Sequence, residues 1–475
     1  GEASFNSSTL VRILAVAVIA RMTNLTVAAL AAGSLGILEA AFQWSFGSVT
    51  VLDGILLFII GAILILQRHQ RSRAELESAS SWRSAREIRP IPPELRGLPV
   101  VRSWVRNLTL LGVALALGIP WLLSPSQNNL ASVILIYAMV ALSLLVLTGW
   151  AGQISLGQFA FAAIGGYVAG RVMLPFPVPL LAAGIVGAVS AVVVGLPALK
   201  LRGLHLAITT LAFALTTTTL LLNPSYLGAG LPDTLDRPTL VGMQLEDERI
   251  FYYLCLALIA LLIASVTGLR RSRTARALIA CRDNEAAAQS FGINLTRARL
   301  TAFAVSGTIA AIAGALFAYH QHGVRVQAFA ADRSVTMFLI AVIGGMGSIA
   351  SPLIGAAYYG VQLILALPPA VQGLINGGGG LLVLMLLPGG LGQGVFDIRD
   401  AILRRVARRN RIVVASLVAD VRTAEGDIDE VSPIAPKIRP GGGTIFVPER
   451  YRLQGQWALP VGPRQAGTKE EGRGG

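Results

Sequence analysis

GLRRSRTARALIACRDNEAAAQSFGINLTRARL, residues 268–300, is a charged island between two apolar segments that are each long enough to cross a bilayer. Residues 275–290 contain no Gly or Pro and are rich in Ala, the strongest helix former; Phe291 and Gly292 supply the stop expected just past a helix. The stretch predicts one helix over 275–290, with the next span restarting near Asn294 or Thr296. Seven Arg against Asp283 and Glu285 assign the loop to the cytoplasmic side, because cations beside spanning helices are retained there. A short Ala-rich helix at that surface has the form of a knob for a groove on another protein. By composition alone, it is also the basic inner loop of any multi-span protein.

Composition sets the class. Of 475 residues, 54% are hydrophobic and only 13% charged, which excludes an ordinary soluble domain and predicts an all-α, polytopic helical membrane protein. The net charge of +14 does not point to nucleic acid. Residues 67–106 carry nine Arg and four acids, 269–300 seven and two, and 397–475 fourteen Lys or Arg and ten acids. These net charges of +5, +5 and +4 are the whole excess, so it marks three segments on one side of a membrane. Two cysteines, Cys255 and Cys281, imply no disulfide framework.

Taken in order, the chain opens with two moderately apolar segments, roughly 9–33 and 50–66. Residues 67–106, punctuated by Pro90, Pro92, Pro93 and Pro99, form a basic inner linker. Spans follow at about 107–123, 129–148, 155–171, 178–197, 204–222, 251–268, 299–319, 334–346, 350–367 and 373–388. Segment 334–346 is short enough to dip and return. This parity puts Lys200 and Arg202 inside and the acidic loop 223–250 outside, with Asp233, Asp236, Glu246, Asp247 and Glu248 against Arg237 and Arg249. The tail from 396 begins with Arg404, Arg405, Arg408, Arg409 and Arg411, suited to anionic headgroups, and beyond 426 has the composition of a disordered segment.

Two apolar runs are broken. LTGWAGQISLGQFAFAAIGGYVAG, 147–170, carries glycines at 149, 152, 157, 165, 166 and 170 among Gln153, Ser155 and Gln158. SVTMFLIAVIGGMGSIASPLIGAAYYG, 334–360, carries Gly344, Gly345 and Gly347 ahead of Pro352. A backbone group freed in hydrocarbon costs several kcal/mol, so such segments face a bundle interior or a solvated path. Gly165 to Gly170 equally suit close helix packing. Two broken segments in one bundle are what a gated path of discontinuous helices would show. Asp332 and Arg333 serve either as a gate pair or as flanks of the next span. His320 and His322 lack a helical ligand spacing and are expected in a wet loop. His205 has no metal partner at helical spacing, and Thr216 to Thr219 suit packing or bonds to their own backbone. Only three lysines occur, none after a glycine, and no G-x-x-x-x-G-K-[ST] is present, so the chain has no phosphate loop of that type; no catalytic, cofactor or metal constellation is visible.

These stretches carry a resemblance. TARALIACRDNEAAAQSFGIN, 274–294, resembles the cytoplasmic coupling loop of the permease subunits of bacterial high-affinity branched-chain amino-acid ABC importers. Residues 147–170 resemble that family's GYAGQ(I/L)SLGHAAF signature, departing at Trp150, Gln158 and Phe159. LPALKLRGLHLAITTL, 196–211, and 334–360 resemble two further family stretches, whereas residues 227–233, LGAGLPD, depart from the usual Gly-rich turn. The resemblance covers 107–395 for the M-type permease. Residues 20–58, ARMTNLTVAALAAGSLGILEAAFQWSFGSVTVLDGILLF, more diffusely resemble the C-terminal end of the H-type permease; that implies a fused double permease whose first half is absent here, the alternative being an ordinary pair of N-terminal helices.

The resemblance implies an ABC importer permease without enzymatic activity, working with separate ABC ATPase subunits, an extracytoplasmic solute-binding protein and an H-type half in the inner membrane. Arg276, Glu285, Ala286, Ala287 and Gly292 would form the ATPase docking surface. Gly152, Gln153, Ser155 and Gly157, with Gly344, Gly345 and Gly347, would line or shape the path. Branched-chain amino acids are the implied solutes, with urea or short amides second. A passive channel is the reading of another class, against which the coupling helix argues. The near absence of Asp and Glu in the spans disfavours a proton-coupled transporter.

Overall fold

The computed structural model describes residues 12–13, 15–16, 20, 25–46, 55 and 91–410, apart from 173, 200–202, 233, 238, 241–242 and 245. Most of 1–66, the linker up to residue 90, Lys200, Arg202, Asp233, the side chains of His205 and Thr219, and the tail beyond 410 lie outside the described residues. Helix α1 is Leu25–Phe46. After a single turn at Pro93–Arg96 come α2 (Pro99–Leu122) and α3 (Pro125–Leu144), which runs on as a π-helical turn, Leu145–Trp150. Next are α4 (Gln158–Arg171), α5 (Val178–Ala198) and α6 (Leu204–Thr216), the last extended by a π turn, Thr217–Leu221. A two-residue antiparallel pair, Thr239–Leu240 with Met243–Gln244, precedes α7 (Glu248–Arg271). The charged island folds as α8 (Arg273–Asp283) and α9 (Glu285–Ser290). Then come α10 (Leu295–His320), α11 (Asp332–Gly344), α12 (Ser351–Ile364), α13 (Pro369–Leu374), α14 (Gly380–Leu386) and α15 (Gly390–Arg409).

The protein is thus a polytopic helical membrane protein. Among the described residues, eight helical stretches are long and apolar enough to cross a bilayer. Each of the ten segments expected between 107 and 388 contains a helix, with one boundary moved: α2 starts at Pro99, inside the segment read as linker, since proline suits a first helical turn. Helices α4 and α11 are only 14 and 13 residues long, so each rises about 20 Å, short of the ~30 Å hydrocarbon core. The two Gly-rich runs therefore hold helices about two thirds of that length, α11 reaching a crossing length only together with the turn at Val326–Phe329 before it.

Helices α3 and α10 form the axis of the bundle, most of their length being buried. Ser124 starts α3 through a capping box: its hydroxyl accepts from the Gln127 N–H at 3.4 Å and the Gln127 side chain accepts from the Ser124 N–H at 3.1 Å. The two axial helices run antiparallel, with Tyr137 beside Phe317 (5.9 Å between centroids) and the Ser306 hydroxyl donating to the Ser143 carbonyl at 2.9 Å. Lipid offers no hydrophobic contrast to drive helix association, and small residues do the work here. A Cβ on Gly165 of α4 would overlap the Ala311 carbonyl, one on Gly314 the Ala162 carbonyl, and one on Gly187 of α5 the side chain of Ala311.

The end of the bundle that carries α8 and α9 is termed the hairpin end, and the other the far end. At the far end the 223–232 loop is tied to α4: Tyr167 donates to the Leu227 carbonyl (3.2 Å) and Arg171 to that of Ala229 (2.8 Å). Arg237 is buried, paired with Glu248 at 2.8 Å and laid over Phe251. His320 corrects an expectation, because it is buried between Phe317 and Phe251 rather than in a wet loop; only His322 is exposed. Its imidazole closes an aromatic cluster whose members lie far apart in sequence. Thr218 donates back to the Ala214 and Leu215 carbonyls, the local bonding expected of the threonine run.

Gly314→Ala is expected to force α4 from α10 and to cost about 1–3 kcal/mol or more, as overpacking does. Gly268→Ala, with open space around its Cβ position, should be neutral or slightly stabilising. Melting temperatures of the two purified variants in detergent check the contrast.

Candidate coupling hairpin and broken spans

The charged island is two helices, not the single helix predicted over 275–290. Asn284 interrupts it with an extended conformation, its side chain accepting from the Ala287 N–H at 3.0 Å as the N-cap of α9. Ser272 caps α8 and Asn294 caps α10 in the same way, the latter where the restart was expected. Gly292 takes a left-handed conformation (φ 77°), which explains the stop after α9. Ala275, Leu278, Cys281 and Ala288 bury one face of the hairpin. Burial pushes the Cys281 thiol above its ordinary range, with the Arg299 guanidinium opposing and Glu285 adding to the rise. At neutral pH it is a protonated packing group.

The expected docking residues divide. Arg276, Ala286 and Gly292 are exposed, Ala287 is half-buried, and Glu285 is engaged within the chain, its carboxylate forming an ion pair with Arg299 of α10. Arg299 is 7% exposed, so the pair fixes α9 to the foot of α10. Phe291, read in sequence only as part of a stop, is 86% exposed at the tip. An apolar ring that far out of a charged hairpin is the feature a partner groove would take.

The first break lies against this hairpin. The Arg282 guanidinium donates to the Gly149 carbonyl at 2.5 Å, and its Cγ would meet a Cβ on Gly152 at 2.7 Å. Gly152 also has φ 67°, so any side chain there is strained as well as crowded. From Trp150 the chain turns back into the bundle as a non-helical stretch, 151–157. The N–H groups of 151–153 still bond to the Val146, Thr148 and Leu147 carbonyls, and hydroxyls meet further groups: Thr148 donates to the Gln153 carbonyl (3.0 Å), Thr210 accepts from the Leu156 N–H (2.9 Å) and Ser155 from the Gly157 N–H (3.3 Å). Such pairing is what permits irregular backbone at membrane depth. Helix α4 consequently begins at the level of Ser143, through a relay in which Gln158 donates to Ser306 (2.7 Å) and Ser306 to the Ser143 carbonyl.

The second break follows α11. Gly344 packs against Gly355 of α12, while Gly345 (φ 99°) touches Gly389, and Gly390 (φ 78°) sits over Gly345. Gly347 lies half-buried in the bend beyond. The two breaks meet, because a Cβ on Gly149 would stand 3.0 Å from the Met346 carbonyl. The first turns of α4 and α11 also meet, where the Phe159 N–H donates to Ser334 Oγ at 3.1 Å. Of the residues expected along a path, Gly152 is exposed beside Arg282, whereas Gln153, Ser155, Gly157, Gly344 and Gly345 are buried within the chain. Gly165 and Gly166 belong to helix packing, facing Ala311, Ala318 and Phe329.

Loss of the Glu285–Arg299 pair is expected to cost about 1–3 kcal/mol, since it strands a buried guanidinium. Glu285→Arg should lower the melting temperature, and the exchange Glu285→Arg with Arg299→Glu should recover most of the loss. A double-mutant cycle on the purified permease measures this.

Residues 127–384 match the family model described as branched-chain amino acid transport system / permease component. Over 266 residues the chain is 34% identical to the high-affinity branched-chain amino acid transport system permease protein LivM of Salmonella typhimurium and 33% identical to that of Escherichia coli, covering 50% of this chain and 62% of each relative. It is 27% identical over 216 residues to a probable branched-chain amino acid transport permease protein LivM of Methanocaldococcus jannaschii, 44% of this chain and 61% of that one. The chain thus spans about three fifths of the length of these curated relatives. No solved structure matches it. With a bundle of broken helices and a family match over more than half of its length, the chain belongs to the family of permease components of branched-chain amino-acid transport systems.

Proposed function

We propose that this chain is a membrane-embedded permease of an ATP-driven importer of branched-chain amino acids. The observation that carries the reading is the Arg282 bond to the Gly149 carbonyl, which ties a charged, surface hairpin directly to a broken span. A push on the hairpin is thereby delivered to the segment whose backbone is free to rearrange. The printed names of the relatives supply the substrate class.

In this reading the hairpin end faces the cytoplasm of the inner membrane, in keeping with the seven Arg of 269–300, and so do the linker and tail. An ABC ATPase subunit receives Phe291 with Arg276, Ala286, Ala287 and Gly292, while Glu285 holds α9 in place from behind. An extracytoplasmic solute-binding protein docks at the far end, and an H-type permease half completes the path. Gly152, Gln153, Ser155 and Gly157, with Gly344, Gly345 and Gly347, shape that path by letting the two breaks form. The domains follow: an H-type end over 1–66, a linker over 67–106, the permease over 107–395 and a basic tail over 396–475.

Urea or short amides are the second substrate class, and a passive channel is the reading of another kind. Solute-stimulated ATP hydrolysis in proteoliposomes holding the complete permease, its ATPases and loaded binding protein separates them. Leucine, isoleucine and valine are expected to stimulate it. Stimulation by urea or amides alone would move the substrate, and solute flux with no stimulation by any of them would favour the channel.

A further inference from the structure

The first turn of α11 carries two opposite charges, Asp332 and the half-buried Arg333. Arg333 donates to the Tyr137 hydroxyl at 2.8 Å, and Tyr137 is the thirteenth residue of the 26-residue stretch Pro125–Trp150, midway through the membrane-crossing length. Asp332 precedes it and is exposed; Ser334 follows and holds the start of α4. The Tyr359 ring of α12 lies against Tyr137, tilted, with 5.7 Å between centroids. Among the described residues neither Asp332 nor Arg333 forms an ion pair. Charges at this depth are costly against lipid, so the exposed face bearing them fronts protein or water. One residue from the Phe159–Ser334 junction, the fully buried Gln158 leaves its amide oxygen without a hydrogen-bond partner, an acceptor at the same level.

A cation and an anion on adjacent residues, in no ion pair among the described residues and beside two tyrosines, match the head group of a free amino acid. An uncharged amide or urea has no use for such a pair. We propose that Asp332 and Arg333 form a recognition site for the zwitterionic head of an amino acid on the permeation route, the guanidinium taking the carboxylate and the Asp332 carboxylate the ammonium. The inference rests on the transport reading above and locates where in the bundle the solute is held. The aliphatic side chain is left to the apolar and aromatic surroundings, so the site selects amino acids as a class without choosing among leucine, isoleucine and valine.

The test uses proteoliposomes of the complete importer, with leucine uptake and binding-protein-stimulated ATP hydrolysis read from the same vesicles for wild type, Arg333→Gln, Arg333→Lys and Asp332→Asn. Arg333→Gln and Asp332→Asn are expected to lose about tenfold or more in uptake, the effect of one charge-assisted hydrogen bond, while stimulated hydrolysis stays within about twofold. Arg333→Lys, which keeps the cation, should retain much of the uptake. Uptake near the wild-type rate in both neutral variants would overturn the site and leave the transport reading standing. Joint loss of uptake, stimulated hydrolysis and co-purification with the second permease half would assign the pair to assembly and likewise overturn the site. Wild-type vesicles that carry urea but not leucine, or that carry nothing, would remove the amino-acid reading, and the zwitterion site with it.

Discussion

A peptide group released from a helix inside a membrane must find another partner, and the architecture of this permease follows from how that requirement is met. The polypeptide leaves helical geometry after Trp150 and re-enters it at Gln158, within the bundle. It does so because Thr148, Ser155, Thr210 and Ser334 each offer a hydroxyl to a backbone group of the broken segment. Thr210 is tethered in turn by donating to the Ala207 carbonyl at 2.9 Å. A hydroxyl can donate and accept at once, so one side chain bridges the break to an intact helix. The glycines contribute space rather than bonding: a Cβ on Gly157 would stand 2.6 Å from the Thr210 carbonyl oxygen.

Two shortened helices result. The starts of α4 and α11 meet midway through the bundle, while their associated breaks meet below, beside the hairpin. Arg282 reaches from the hairpin to the first break, and Arg299 holds the hairpin from the α10 side. The hairpin therefore contacts a segment whose first residues bond back to the Val146, Leu147 and Thr148 carbonyls and whose remainder is held by single hydroxyl bonds, not by a full helical ladder. At the far end Arg237, Glu248, Phe251 and His320 pack as one cluster.

Much of this was legible in residue order. Composition and charge placement identify the polytopic helical class, and Gly-interrupted apolar runs mark both breaks. Asn294 signals the restart of α10 as an N-cap should. The interruption at Asn284 was also written there, as Asn followed by Glu285, but the Ala-rich run around it dominates a propensity reading. Other features depend on distance in sequence. Thr210 lies 54 residues from Leu156, Ser334 175 residues from Phe159, and Arg333 196 residues from Tyr137. No local pattern announces such partners. Glu285 and Arg299 are separated by a helix end, so their pairing needed the turn at Gly292 to be built.

Hydrogen–deuterium exchange over residues 151–160 of the Thr210→Val variant tests most directly whether hydroxyl bonds hold the break. Valine keeps the shape of threonine and removes the acceptor for the Leu156 N–H. The account predicts exchange in this segment faster by about tenfold or more, the loss of one buried hydrogen bond, with the axial helices α3 and α10 still protected. Exchange unchanged from wild type, or loosened equally through α3 and α10, would contradict it.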